Sequence, residues 1–524
     1  MTARPFTVGE LYDRAVAQGG DRVAVTDGPR SLTYREFGDQ ALRLGAALQS
    51  LGVGHGDRVA FLMANCAEYL ACEYAVARIG ATRVPLAVLL GDDDHAYMMN
   101  FARCRVLVYH ARFDARIAAV APRLTTVEHF VRVGGDGPPP AGHWSLDALL
   151  AAHVATPAAV PVDPEDIAGI YFTGGTTGRP KGVLLSHRAW FHTYHAELLD
   201  FAIGWHEVFV FTTPMTHAAG CLLLPVLLRQ GRCVLLERFD PETLLAKIAA
   251  ERATATLLVP TMLYLLLEHP RRDVHDRRSL RNVLYGAAAI APERLRQALE
   301  VFGPVFTQFF GQTEAPMALT ALPREAHLAD GRPAGDDVLA SAGRATYATS
   351  LRLVDEAGRD VADGEPGELI ARTPNVMSGY LDDPQATSEA LRDGWLHTGD
   401  IARRSPDGLI TIVDRRKDVI VTGGLNVYPR EVEDVLFEHP AVRQAAVVGV
   451  PHEKWGEAVR ALVVLQEGAE ADAASLIEFV RARKGSVAAP KAIEFTTVLP
   501  LTPLGKIDRK AIRTRYWAGR ARGV

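Results

Sequence analysis

Residues 172–182 read Phe-Thr-Gly-Gly-Thr-Thr-Gly-Arg-Pro-Lys-Gly. Gly174, Gly175 and Gly178 let a backbone turn sharply and bring its N–H groups against an anion. Thr173, Thr176 and Thr177 add hydroxyl donors, and Lys181 adds a point charge. A phosphate chain is the natural guest. The loop is not a Walker A, because Lys181 stands between Pro180 and Gly182, where a P-loop needs Gly-Lys-Ser/Thr. Taken alone, such a loop also reads as a plain turn. Four further segments carry chemistry. Gly311-Gln312-Thr313-Glu314 follows an aromatic and apolar strand. A Thr and a carboxylate there can hold a phosphate oxygen and Mg²⁺, which takes few protein ligands and keeps waters; a solvated turn is the alternative. In His397-Thr398-Gly399-Asp400 the aspartate can accept from both hydroxyls of a ribose, or simply close an Asx-turn. Arg415 can hold ribose or phosphate, or be solvated. Thr502-Pro503-Leu504-Gly505-Lys506 presents a lysine on a stiffened loop, where most lysines are solvated.

These segments need a large scaffold. The chain has 524 residues, so two or more domains are expected, and 48% hydrophobic residues suffice for large cores. Short β-branched runs alternating with helical patterns favour an α/β architecture. Strands are predicted at 58–63, 106–109 and 208–211, helices at 67–79 and 292–302, and a strand ending near Phe310. The apolar run Leu222–Leu228 reads as a buried core helix. Near residue 415 the texture changes. A charged connector, Asp414-Arg-Arg-Lys-Asp418, precedes an α+β pattern: helix 429–438, strands 445–448 and 461–465, helix 474–483. The boundary is placed at the connector, giving domains 1–414 and 415–524; about 110 residues suffice for a small second domain.

The net charge of −5, without a basic run, argues against a nucleic-acid partner. Five cysteines (Cys66, Cys72, Cys104, Cys221 and Cys233) lie scattered without a CxxC pair, as for reduced thiols in a cytoplasm. The first residues lack the apolar core of a signal peptide, and no run of 18 apolar residues predicts a membrane span. His187, His192 and His195 cluster after the Gly/Thr loop, but no third ligand of suitable spacing accompanies the His192–His195 pair, so zinc is not expected.

In their order and spacing these pieces resemble the adenylate-forming superfamily of acyl-CoA synthetases, peptide-synthetase adenylation domains and beetle luciferases. The resemblance spans nearly the whole chain, from Leu32-Thr-Tyr-Arg-Glu-Phe and Gly80-Ala-Thr-Arg-Val-Pro-Leu to Gly423-Gly-Leu-Asn-Val-Tyr-Pro and Pro503-Leu-Gly-Lys-Ile-Asp-Arg-Lys. The Gly-Gly-x-Asn-Val-Tyr-Pro form looks most like bacterial acid–CoA ligases. The resemblance implies a large N-terminal region of α/β subdomains with a small, mobile α+β C-terminal domain. It implies ATP, Mg²⁺ and CoA as cofactors or co-substrates. Thr173–Lys181 would cradle the β,γ-phosphates; Gly286, Ala287, Ala288 and Phe310 would flank adenine, beside Gly311 and Gln312. Thr313 and Glu314 would bind phosphate and metal, Asp400 and Arg415 the ribose. Lys506 would bridge the acid carboxylate and the α-phosphate, Lys417 would be the hinge, and Gly423–Gly424 would approach the acceptor's pantetheine arm.

The same resemblance puts the acid among His217, Ala218, Thr261, Ala287, Gly311, Ala315 and Pro316. These segments hold no Arg or Lys to pair a second carboxylate and no Asp to pair an amine. An apolar aryl, alicyclic or fatty monocarboxylate is therefore expected. His217 can line the acid or be a partly buried histidine without a chemical role. Three departures stand out: Gly174 where the family usually has Ser, Phe310 in place of the usual Tyr, and Ser486-Val-Ala-Ala-Pro-Lys491 without the common Tyr-Lys pair. The alternative is a ligase passing its acyl group to an amine or a carrier-protein thiol; a homodimer is possible, and the sequence does not fix the oligomeric state.

Overall fold

The computed structural model describes residues 4–173, 179–501 and 507–517. The loop residues Gly174, Gly175, Thr176, Thr177 and Gly178, and Lys506, lie outside the described residues. The chain divides into two compact units, Met1–Leu351 with Ala371–Leu396, and Arg352–Ile370 with His397–Val524.

Two largely parallel sheets build the first unit. One begins with Gly379–Tyr380 and runs through Lys181–Ser186, Ile167–Thr173, Thr82–Pro85, Arg58–Leu62, Cys104–His110 and His129–Val133 to Trp144–Ser145. The other runs from Arg344–Ala345 through Ala315–Leu322, Phe306–Gln312, Asn282–Gly286, Ala255–Leu258, Val208–Phe211 and Arg232–Leu235 to Val23–Asp27 and Arg30–Thr33. Their central strands are buried on both faces: every residue of Thr82–Pro85, Ala255–Leu258 and Asn282–Gly286 is buried, the polar Thr82, Arg83, Thr256 and Asn282 included. Helices Val8–Gly19 and Tyr34–Ser50 start at Thr7 and Thr33, each closing a capping box with Glu10 or Glu36. The run expected to be a core helix forms one over Leu223–Leu228, buried in five of its six residues. The strand expected to end near Phe310 continues to Gln312.

The second unit holds a sheet of Leu425–Val427, Ile420–Thr422, Gly456–Leu465, Val442–His452 and Ala492–Phe495, with helices Pro429–Phe437, Ala473–Ala488 and Arg509–Trp517. The elements predicted there are present; the two strands and the second helix are longer than read from sequence, and the first helix ends one residue earlier, at Phe437. The boundary read after residue 414 falls inside this unit. The reason is a hairpin: strand Ile410–Arg415 pairs antiparallel with strand Trp395–Arg404, placing Asp400 opposite Arg415. A charged connector marks a change of composition; beyond it helix Pro429–Phe437 packs back on strand Ile410–Arg415, with Arg430 N–H donating to Asp414 Oδ2 at 2.9 Å, and so draws the hairpin into this unit.

Candidate active site

Seven elements of the first unit position the candidate residues: β1 (Ile167–Thr173), β2 (Lys181–Ser186), β3 (Val208–Phe211), β4 (Ala255–Leu258), β5 (Asn282–Gly286), β6 (Phe306–Gln312) and β7 (Ala315–Leu322). The Gly/Thr loop joins β1 to β2, which pair antiparallel with Thr173 opposite Lys181. It is thus a hairpin loop closed by its own threonine and lysine. On one side Tyr97 donates its hydroxyl to Pro180 O (3.3 Å), and the Arg179 guanidinium lies 5.0 Å from the Tyr97 ring centre.

Thr313 and Glu314 form the two-residue tip between β6 and β7, where Gln312 opposes Ala315. Gly311 is required just below the tip: a Cβ there would stand 2.6 Å from the Met317 nitrogen. Tyr380, which sequence reasoning did not single out, ties this tip to the Gly/Thr hairpin. Its hydroxyl donates to Glu314 Oε1 at 2.8 Å, and its ring centre lies 4.9 Å from Lys181 Nζ. Its neighbours are fixed by backbone bonds, Leu381 N–H to Gly182 O (2.7 Å) and Met377 N–H to Glu314 O (2.8 Å). One ring thereby holds the lysine at the base of the Gly/Thr hairpin and the carboxylate expected to meet metal. Among the described residues no cluster of three or more His, Cys, Asp or Glu could hold a metal ion. A single half-buried carboxylate suits Mg²⁺, which is held by one or two carboxylates plus phosphates and water.

The segments expected to hold the acid start from one sheet edge for a topological reason. β3, β4, β5 and β6 are parallel neighbours. The segments carrying His217, Thr261, Ala287 and Glu314 all leave their carboxyl ends, the edge where open α/β sheets bind ligands. Ala287 is exposed and held at φ +63°, a left-handed conformation uncommon for a residue with a Cβ, and Met317 is held at φ +58°. Ala288 and Thr261 are exposed, Ala218, Phe310, Gly311 and Gln312 half-buried, and Gly286, Ala315 and Pro316 buried. His217 is exposed, with Nδ1 2.8 Å from the Thr216 hydroxyl.

Asn65, also not singled out from sequence, pins the segment between β3 and His217. Its amide donates to Thr213 O (2.9 Å) and Leu236 O (3.0 Å), while its oxygen accepts from Met215 N–H (2.9 Å). Behind β5, the Tyr285 hydroxyl donates to His327 Nε2 (2.8 Å), since His327 Nδ1–H is committed to Pro323 O (3.0 Å). Burial lowers the His327 pKa to about 4. Of the histidine cluster, His187 is buried with Nδ1 accepting from Val8 N–H at 3.1 Å, and His195 Nδ1 lies 3.0 Å from Phe191 O.

In the second unit Arg415 Nε lies 2.6 Å from Asp400 Oδ1; the aspartate is 2% exposed and the arginine half-exposed. Gly399 sits within the strand at φ +69°, and Thr398 donates to Leu369 O at 2.6 Å. Lys417 lies on the 3-10 turn Arg416–Asp418. Gly423 and Gly424, with φ +59° and +80°, form the exposed two-residue turn of a hairpin. Positive φ at both positions is what that turn demands, so local geometry alone accounts for the pair.

The family model "AMP-binding enzyme" matches residues 12–381, and "AMP-binding enzyme C-terminal domain" matches residues 431–506. The chain belongs to the AMP-binding enzyme family. Within it, the chain is 39% identical to a medium/long-chain-fatty-acid–CoA ligase, FadD8, of Mycobacterium tuberculosis (99% of this chain, 92% of the relative). It is 37% identical to a feruloyl-CoA synthase of Amycolatopsis sp. (94% and 96%). Among solved structures it resembles the amide bond synthetase McbA from Marinactinospora thermotolerans, with 35% identity, 97% and 99% coverage and a TM-score of 0.88. The adenylate-forming resemblance and the fold expected from it are therefore borne out. No helix among the described residues is long and apolar enough to cross a membrane.

Proposed function

We propose that this AMP-binding enzyme activates an apolar carboxylic acid (aryl, alicyclic or fatty) with ATP to an acyl-adenylate, releasing pyrophosphate, and then passes the acyl group to CoA. The observation that carries the reading is the Tyr380 clasp, which sets Lys181 beside the Gly/Thr hairpin and Glu314 on one ring. In this reading Thr173 to Lys181 hold the β,γ-phosphates. Gly286, Ala287, Ala288, Phe310, Gly311 and Gln312 border adenine, and Asp400 and Arg415 hold ribose. The acid lies among His217, Ala218, Thr261, Ala287, Gly311, Ala315 and Pro316. Glu314 and Thr313 would hold Mg²⁺ and phosphate oxygen; the ion's part is to neutralise phosphate charge.

The carboxylate attacks the α-phosphorus and pyrophosphate leaves. Lys506 offsets the charge that builds on the transferring group while attacker and leaving group stay aligned. The acyl-adenylate is sensitive to water, so a lid that closes over it is useful. Residues 415–524 act as that lid, Lys417 is its hinge, and Gly423–Gly424 meet the pantetheine arm when it turns. All five cysteines are buried and unpaired, which supports a reducing, cytoplasmic setting.

A second reading replaces CoA by an amine or a carrier-protein thiol. Likeness to an amide bond synthetase over 97% of the chain favours weighing it. Pyrophosphate release across a panel of carboxylic acids, with and without CoA, tests both. An apolar acid should give release, with a CoA thioester as product. Release with no thioester would assign the second reading, and release with malonate or succinate but not octanoate or benzoate would overturn the apolar pocket.

A further inference from the structure

The helix His187–Asp200, here α1, carries a side chain that the proposed chemistry does not use. Glu197 has no exposed surface, and neither carboxylate oxygen has a hydrogen-bond partner among the described residues. Burial alone acts on its titration and raises it well above the usual range; no cation contributes. Other buried carboxyls of this unit are provided for. Glu73, for example, is paired with Arg83 at 3.0 Å and accepts from the Tyr12 hydroxyl at 3.2 Å. An unpartnered buried carboxyl costs several kcal/mol as a neutral group and more as an ion. Folded proteins keep few such groups, and each calls for a reason.

Position supplies one. Glu197 lies on the buried stripe of α1 with Trp190, Thr193 and Tyr194, and Trp190 and Tyr194 share a core with Ala315 and with Ala219 and Cys221 of the short helix Ala218–Cys221. α1 and that short helix both pack on β7. Ala218, Ala315 and Pro316, assigned above to the acid pocket, lie on those two elements. Glu197 therefore backs a wall that is otherwise apolar. Held neutral by burial, it offers one O–H donor and carbonyl acceptors.

We propose that Glu197 determines specificity in the acid pocket by hydrogen-bonding a hydroxyl on the acid, remote from its carboxylate. The substrate class is then an otherwise apolar hydroxy acid, phenolic or aliphatic. The inference rests on the acid-activating reading and sharpens it. It also explains why a costly group persists: it is satisfied only when such an acid is bound.

The test uses the full-length protein and matched acids, 3-phenylpropanoate against 3-(4-hydroxyphenyl)propanoate and octanoate against 8-hydroxyoctanoate, read by pyrophosphate release. Wild type should favour the hydroxylated member of at least one pair, by roughly tenfold to a hundredfold in kcat/KM. Glu197→Leu should abolish or reverse that ratio, and Glu197→Gln should keep most of it. Without any acid present, Glu197→Leu should melt no lower than wild type, because it removes an unsatisfied carboxyl; a merely structural glutamate would melt lower. A wild type without preference in either pair overturns the proposal whatever the variants do. So does a ratio that Glu197→Leu leaves unchanged. If no acid at all supports release, the acid-activating reading falls with it; if release occurs without hydroxyl preference, only the role of Glu197 falls.

Discussion

Asn65 offers the most direct check on how the acid segment is held. It is 5% exposed and makes three good hydrogen bonds, two to carbonyl oxygens and one from the Met215 N–H, all at 2.9–3.0 Å. Asn65→Ala orphans these groups in a place water does not reach. An orphaned buried donor or acceptor costs about 1–3 kcal/mol. The two carbonyls fall at the low end, because a carbonyl with a second lone pair is more easily satisfied. The total is about 3–5 kcal/mol, at the upper edge for a point substitution. Asn65→Asp keeps the acceptor for Met215 N–H but sets a carboxylate against the carbonyls, so it should be nearly as damaging. Urea unfolding measures the stability loss. Acid-dependent pyrophosphate exchange should show KM for the acid rising by an order of magnitude or more while KM for ATP changes little, because the clamped segment leads to His217 and not to the Gly/Thr hairpin. An Asn65→Ala protein with wild-type unfolding midpoint and wild-type KM for the acid would refute the clamp. Loss of stability with both KM values raised alike would reduce Asn65 to general packing.

Tyr380→Phe removes a hydrogen bond to a charged group, worth about 1.5–3 kcal/mol, yet keeps the ring beneath Lys181; the Mg²⁺ needed for half-maximal thermal stabilisation by ATP should rise about tenfold or more, and an unchanged Mg²⁺ dependence would dismiss the clasp. Lys506→Ala should slow acid-dependent ATP–pyrophosphate exchange by about 10²–10³-fold while sparing thioester formation from supplied acyl-adenylate; wild-type exchange would reject its role. Lys417→Pro fixes φ at the proposed hinge, so exchange should persist while thioester output drops by orders of magnitude, whereas equal, modest losses would make Lys417 an ordinary connector residue. Burial lowers His187 and His327 to about 4, so the unfolded chain binds more protons between pH 6.5 and 4; their contribution, about 3 kcal/mol each, is full above 6.5 and is lost as pH falls to 4. Asp414 is raised by burial to about 6, so its contribution has the opposite sign, full below pH 3.8 and lost as pH rises through 6. Urea midpoints measured from pH 7.5 to 4.5 should therefore fall less steeply in His327→Gln and more steeply in Asp414→Asn, and parallel curves for all three proteins would refute the assignment.

The Gly/Thr segment, the Thr313–Glu314 tip, Asp400 and Arg415 stood out in the sequence because each is a residue type at fixed spacing; that Arg415 sits on Asp400 did not. Glycine, threonine and charge in a short segment restrict local geometry wherever they occur. Asn65, Tyr380 and Glu197 were not legible. Asn65 acts on residues more than a hundred positions away, Tyr380 joins two hairpins, and Glu197 matters through what it fails to touch. Each is a property of packing, and a lone Asn, Tyr or Glu in one sequence carries no sign of it. Strands were readable where they are buried on both faces, as at Val208–Phe211. The division into units was less so, because it turns on contacts such as Arg430 N–H to Asp414 across a stretch whose composition suggests a break.

The two-residue tip at Thr313–Glu314 also bears on how this protein can change over evolutionary time. Its strands are locked below the tip by the close approach of Gly311 to Met317 and above by the bond from Met377 N–H to Glu314 O. Side chains alternate along a strand, so adding or removing one residue here would swing Glu314 to the opposite face and exchange the side chains that the row from Ala315 to Leu322, buried along its whole length, packs on its two covered faces. Length at this tip is therefore far less free to vary than residue identity. Diversification of the acid accepted should come by substitution on the surrounding walls and in the segments after β3 and β4, while insertions and deletions gather in exposed loops such as residues 134–143.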